Sequence, residues 1–338
     1  MVENYQHIQT AHCENGVVTS LLKHQGLDFM TEPLAFGLGS GLFYIHIPFL
    51  KVSGGPAISF RTVPGAIFRR TCKALQIEVI RKKFKNELRA QQFLDVKIAQ
   101  GIPVGCQVGV FHLSYFPKEY RFHFNAHNII VYGKENDMYN ISDPVMETVT
   151  TLTAAELNSV RFAQGVLAPK GHIYYPKSIE KFDKALIQQG IVKGIKRTVN
   201  DMLHIPGPIV GIDGIKYTAN KVKKLREKIG VKQGGLFLGQ IVRMQEEIGT
   251  GGGGFRFLYA AFLEEAAEYL QDDRLIPISE QITKAGDLWR SSAVQMAGIY
   301  KGRITEQKDF DDAAKMMYEI AEVEKAAFKQ LEKLKLKY

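Results

Sequence analysis

The pattern of apolar and polar positions changes near residue 150. Before that point, short apolar runs lie between turn residues. IPVGCQVGVFHL, RFHFNAHNIIVYGKEN and DMYNISDPV read as strands separated by turns. The second half of FGLGSGLFYIHIPFL is a further strand candidate, and a Gly/Pro loop follows at SGGPAIS. Upstream, Val17, Val18, Leu21 and Leu22 recur at helical spacing, and Gly26 is a helix stop. The charged stretch from Ala66 to about Ala99 predicts one or two helices. From Thr151 the period becomes helical. Thr153-Ala-Ala-Glu156 has the form of a capping box, and Ser178 opens a segment running through IKRTVN. KVKKLREKIG, FLGQIVRMQEEIG, FRFLYAAFLEEAAEYL and ISEQITKAGDLWRSSAVQMAG follow. A long helix from about Glu306 carries apolar residues three and four apart, the mark of one buried face. The expectation is an α+β chain: residues 1–150 with a helix on a twisted antiparallel sheet, and residues 151–338 mostly α-helical.

Composition narrows the class. A chain of 338 residues with 45% apolar content can fill two ordinary cores, which argues against disorder. No run of 18 apolar residues is present, so no membrane span is expected. The polar start, MVENYQHIQTAHC, has no signal-peptide core. Three scattered cysteines are too few for a disulfide framework, and a reducing cytoplasm is the expected compartment. The net charge is +9, with basic clusters at 69–89, 193–197 and 221–228. A basic surface suits an acidic partner, while solvated helix faces account for each cluster equally well. The aromatic residues are not laid out as a base-stacking platform, so a nucleic-acid partner is not expected.

The chemistry centres on Cys13, His127 and Asp143. A thiol, an imidazole and a carboxylate far apart in sequence are what a nucleophilic cysteine site requires. Cys13 opens a helix, whose dipole favours the thiolate. His127 opens the apolar run NIIVYG, closed by Gly133, and Asp143 ends the next short strand. Two neighbouring antiparallel strands would set His127 beside Asp143. Other readings compete. A free cysteine is often a small buried hydrophobe, and an aspartate before Pro144 is a common turn opener. His112 and His123 are alternative bases, and His123 would share a strand face with Asn125 and His127. Cys72 and Cys106 have no such support and read as structural. An oxyanion hole needs donors, and the backbone N–H of Cys13 is one. Gln6, Gln9 and His12 are candidates for the second. The glycines from Gly249 to Gly254 precede a helix and Arg256, which reads either as an anion site or as a flexible loop. No paired Cys/His spacing points to a metal.

The order of helix-borne Cys13, strand-borne His127 and Asp143 one hairpin later resembles that of the papain-like superfamily. HCENGVVTSLLKHQG followed by EPLAFGLGSGLFYIHIPF is more specific. His12, Cys13, Glu32, Gly37, Leu38, Gly39, Ser40, Gly41 and Leu42 are similar to the N-terminal domain of the butirosin biosynthesis protein BtrH family. The resemblance covers residues 1–150, and a helical domain usually follows. It implies a papain-like, cysteine-protease-type catalytic domain in secondary metabolite biosynthesis. The implied reaction moves an acyl group from an acyl carrier protein thioester to an amine or hydroxyl of a small acceptor. No bound cofactor is implied; the phosphopantetheine arm is a co-substrate, and the acidic carrier protein would use the basic surface. Gly37, Gly39, Ser40, Gly41 and Arg256 are candidates to receive the arm, with a tight turn before a strand as the plainer reading of the glycines. Glu32 would cap or orient that loop. Papain-like enzymes usually carry a glutamine six residues before the cysteine, where this chain has His7. A cysteine peptidase or amidase with the same triad, and a non-catalytic carrier-protein-binding protein, are the alternatives.

Overall fold

A computed structural model describes residues 2–52, 55–179 and 181–337. Ser53 and Gly54 of the expected SGGPAIS loop, and Glu180 of the expected helix start, lie outside the described residues. In chain order come α1 (Cys13–His24), α2 (Glu32–Leu38), β1 (Leu42–Val52), β2 (Gly55–Arg61), α3 (Ala66–Ala74), β3 (Val79–Lys82) and α4 (Glu87–Ala99). Next are β4 (Val104–Val108), β5 (His127–Glu135), β6 (Met138–Ser142), β7 (Thr150–Thr153), α5 (Ala154–Arg161) and β8 (Ile173–Pro176). The remainder is mostly helical: α6 (Ala185–Leu203), α7 (Gly211–Lys223), α8 (Leu225–Val242), α9 (Arg256–Leu270), α10 (Ile276–Tyr300) and α11 (Gln307–Lys333). The fold class is α+β.

The elements form two compact units. One comprises Met1–Ala35 and Ile67–Asp183, the other Phe36–Ala66 and Lys184–Tyr338. This division departs from the expected break at 150. Strand β8 explains much of the difference, since all four of its residues are buried and show no alternation. It pairs with β3 and with β4, placing Tyr175 opposite Ile80 and Ile173 opposite Cys106. The first unit therefore continues well beyond β7.

The sheet of the first unit has the order β3-β8-β4-β5-β6-β7, antiparallel at every pairing. Strands β4 and β5 are buried over almost their whole length because α1 and α4 both pack on β5. Leu94, Val104, Cys106, Ile129, Val131, Ile141 and Leu157 fill the core shared with α4 and α5. Between β5 and β6 the register shifts from Val131 to Gly133, a bulge at the glycine singled out in the sequence. Past the last pair, Ile130 with Ser142, the β6 backbone turns at Asp143. RFHFNA is not part of the strand: β5 begins at His127, so the supposed face shared by His123, Asn125 and His127 does not exist. Thr153 and Glu156 form the expected capping box at the start of α5.

In the second unit, β1 and β2 form an antiparallel hairpin, so GPAISFR is strand rather than loop. The helical part begins at Ala185, later than the expected Ser178. Tyr44 and Phe60 pack against the fully buried Trp289, with Tyr44 Oη donating to Thr218 Oγ1 at 2.8 Å. Arg256 and Glu324, both fully buried, form a two-pronged ion pair at 2.8 and 2.9 Å. Among the described residues no helix is long and apolar enough to cross a membrane.

Candidate active site

The first unit brings Cys13, His127 and Asp143 together. Cys13 is the first residue of α1 and is buried. The chain is held as it enters this helix. Glu32, on α2, accepts the backbone N–H of Ala11 at 2.9 Å through Oε2 and of His12 at 2.8 Å through Oε1. Glu32 thus fixes the approach to Cys13 rather than orienting the glycine segment after it. The His12 side chain caps the helix, its Nδ1 accepting the Asn15 N–H at 3.4 Å. Glu14 is also buried, and its Oε1 accepts the N–H groups of Ile67 and Phe68 at the start of α3.

His127 Nε2 donates to Asp143 Oδ2 at 2.7 Å, which leaves Nδ1 for its hydrogen bond with Cys13. Burial opposes charge on this imidazole, but the negative charges of Asp143 and Cys13 and the hydrogen bonds to both outweigh it. The His127 pKa is raised to about 10. Phe116 closes against the ring edge-on, with centroids 5.5 Å apart. Asp143 is fully buried and satisfied at both oxygens. Oδ2 also accepts the Tyr115 hydroxyl at 2.7 Å, and Oδ1 accepts the Val145 N–H at 3.2 Å. Burial, then the charge of Asp143, pushes Tyr115 well above its usual range, so the phenol stays a donor.

Asn128 is a second side chain at the sulfur. Its Nδ2 lies 3.8 Å from Cys13 Sγ, and its Oδ1 accepts the Tyr174 hydroxyl at 2.7 Å. Sequence reasoning missed Asn128, Tyr115 and Tyr174. Only the adjacency of Asn128 to His127 could have signalled the first; the tyrosines reach the site through β8 and the turn before β5.

The other candidates lie elsewhere. His112 and His123 are exposed, with His123 stacked on Phe111 at 4.1 Å. Cys72 and Cys106 are free but buried, and burial pushes their thiols up to about 12 and about 11. Gln6 and Gln9 are exposed, which does not suit a donor fixed beside a buried sulfur. His7 has both ring nitrogens engaged, Nε2 with the Met146 carbonyl at 3.0 Å and Nδ1 with Ser142 Oγ at 2.8 Å.

Gly37, Gly39, Ser40 and Gly41 belong to the second unit. Gly37 lies within α2, where a Cβ would fall 2.0 Å from the Phe262 ring; at Gly41 one would fall 2.2 Å from Phe36. Protein side chains thus fill the space beside both glycines. Ser40 Oγ donates to the Gly194 carbonyl at 3.4 Å. Arg256 is not available to a phosphate: Nε and Nη2 hold Glu324 and Nη1 holds the Gly254 carbonyl at 2.8 Å. The Gly253 N–H is likewise taken by the Glu246 carboxylate, at 3.1 and 3.2 Å.

Residues 12–144 match the family described as butirosin biosynthesis protein H, N-terminal. Residues 155–331 match a domain of unknown function, DUF4872. Among solved structures, a Bacillus anthracis protein described as a C39-like peptidase is 14% identical, with a TM-score of 0.36, over 53% of this chain and 96% of its own. No curated protein matches. The chain belongs to the DUF4872 family, and ahead of that domain it has a butirosin biosynthesis protein H N-terminal domain that carries the buried Cys13 and His127.

Proposed function

We propose that the protein is a cysteine acyltransferase acting in a biosynthetic pathway. It would take an acyl group from a carrier-protein thioester and pass it to an amine or hydroxyl acceptor. The observation that carries this reading is the buried line from Cys13 through His127 to Asp143, set in a domain of the butirosin biosynthesis protein H family. In the proposed first step the Cys13 thiolate attacks the thioester carbonyl, and the tetrahedral intermediate expels the phosphopantetheine thiolate. That thiolate takes the proton held on His127, leaving an acyl-enzyme and a neutral imidazole. The acceptor then attacks the acyl-cysteine, gives its proton to His127, and releases the Cys13 thiolate. Asp143 keeps the ring oriented and stabilises the imidazolium, as the carboxylate of a triad does. The acidic carrier protein would dock on basic surface of the chain, whose net charge is +9.

Intact-mass measurement after mixing the protein with acyl-phosphopantetheine thioesters tests this. The expected result is an acyl adduct on the wild type that is absent from Cys13→Ala. Addition of an amine should then discharge the adduct faster than water does. Cleavage of peptides at Cys13 without any adduct from thioesters would replace acyl transfer by a peptidase activity. An unmodified and unreactive Cys13 would leave only a binding role.

A further inference from the structure

A tetrahedral intermediate at Cys13 needs hydrogen-bond donors for its oxyanion, and Gln6, Gln9 and His7 do not supply one. Gln6 and Gln9 are exposed, and both ring nitrogens of His7 are engaged. Asn128 answers the need from the opposite side of the sequence. It follows His127 directly on β5, and both side chains reach Cys13. Asn128 is 3% exposed, and its Nδ2 stands 3.8 Å from Cys13 Sγ.

The network fixes which end of the amide faces the sulfur. Nδ2 also donates to the Ala126 carbonyl at 3.1 Å, and a carbonyl can only accept. Oδ1 is held by the Tyr174 hydroxyl at 2.7 Å. One amide hydrogen is therefore spent on Ala126 and the other is left for the sulfur. Burial, then the charges of Glu14 and Cys13, pushes the Tyr174 phenol well above its usual range, so it stays a donor. A neutral donor directed at Sγ meets any carbonyl oxygen that becomes attached one atom away.

We infer that Asn128 is the side-chain donor of the oxyanion hole at Cys13, and that Tyr174 is the positioning residue that aims it. The inference rests on the nucleophilic role proposed above for Cys13. When the Cys13 thiolate bonds to a carbonyl carbon, the π electron pair moves onto oxygen, and the Asn128 N–H turns from sulfur to that oxygen. Collapse of the intermediate expels the leaving group and restores the carbonyl.

Two probes of the same thiolate separate the possibilities. p-Nitrophenyl acetate acylates it through an oxyanion and releases p-nitrophenolate; iodoacetamide alkylates it by displacement, with no oxyanion. In Asn128→Ala the acetylation burst is expected to slow about a hundredfold, while alkylation stays within about threefold of wild type. Tyr174→Phe is expected to lose about tenfold in the burst with alkylation again spared, and it carries the test if Asn128→Ala does not fold. A burst unchanged in a folded variant overturns the inference and leaves the nucleophile standing. Equal losses with both probes also overturn it, since Asn128 would then act on the thiolate itself. A wild-type Cys13 inert to both reagents overturns the inference together with the proposed function.

Discussion

His127 carries opposed influences, and its protonation follows from which one wins. Burial alone would strip the imidazole of its proton, yet Asp143 and Cys13 flank it closely enough to raise its pKa to about 10 from 6.5. The sign of the consequence is definite. A proton bound more tightly in the folded chain stabilises the fold fully below pH 6.5, and this contribution is lost as the pH rises through about 10. Urea unfolding of the wild type is therefore expected to show stability falling across that window, with a flatter profile for His127→Gln. Imidazole NMR reports the same balance directly. The His127 ring should remain protonated well above pH 6.5, and in Asp143→Asn its titration should return toward that value. Tyr115→Phe removes only one of the donors to Asp143 and should move the titration less. Cys13, His127 and Asp143 were legible in the sequence because their residue types and order match a known chemistry. Asn128 was not, because an asparagine next to a histidine has no signature until the fold shows what its amide faces.

Helix α1 and the turn after β6 approach each other more closely than any ordinary side chain allows. A Cβ on Gly16 would lie 2.1 Å from Thr10 Oγ1 and 2.4 Å from Pro144 Cβ, and the Thr10 N–H donates to the Pro144 carbonyl at 2.7 Å. Gly16 is one turn from Cys13, and Pro144 follows Asp143, so this contact sets the spacing between nucleophile and carboxylate. Helix propensity would favour alanine at Gly16 by about 1 kcal/mol. The overlap acts against it, and Gly16→Ala is expected to lose about 1–3 kcal/mol in urea unfolding. Its acetylation burst should fall by up to about a hundredfold, because a displacement near 1 Å is enough to misalign reacting groups. Helices α6, α9, α10 and α11 and strands β1, β4, β5 and β6 could be read from apolar periodicity, whereas α7 was not read and KVKKLREKIG is divided between α7 and α8. Strands β3, β7 and β8 could not: each has four residues, too few for a period to appear, and their identity comes from the partners they meet.

Across the whole molecule, stability depends on polar groups that no pattern of apolar residues displays. Arg256 and Glu324 are fully buried, Trp289 Nε1 donates to Glu324 Oε1 at 2.7 Å, and the Arg256 guanidinium lies 5.4 Å from the Trp289 ring centroid. Glu324→Gln leaves a buried cation without its counterion and is expected to cost about 3–5 kcal/mol in denaturant unfolding. Arg256→Met with Glu324→Leu should recover most of that loss, since an apolar pair needs no desolvated charge. In sequence, Arg256 after a run of glycines read either as part of an anion site or as following a flexible loop; its carboxylate partner is 68 positions away and was invisible to local reading. The same distance effect hides the interleaving of the two compact units, because residues 36–66 leave the first unit and 67–183 return to it, while the family matches at 12–144 and 155–331 divide near residue 150. This interleaving bears on how the protein is made. During synthesis the hairpin of β1 and β2 emerges long before α6 to α11, the helices of its own unit, exist. Strand β3 likewise waits for β8, its ladder partner, to leave the ribosome. The ladder of the first unit can close once β8 is translated, about halfway along the chain, whereas the hairpin of the second unit must wait for helices that run almost to the C-terminus.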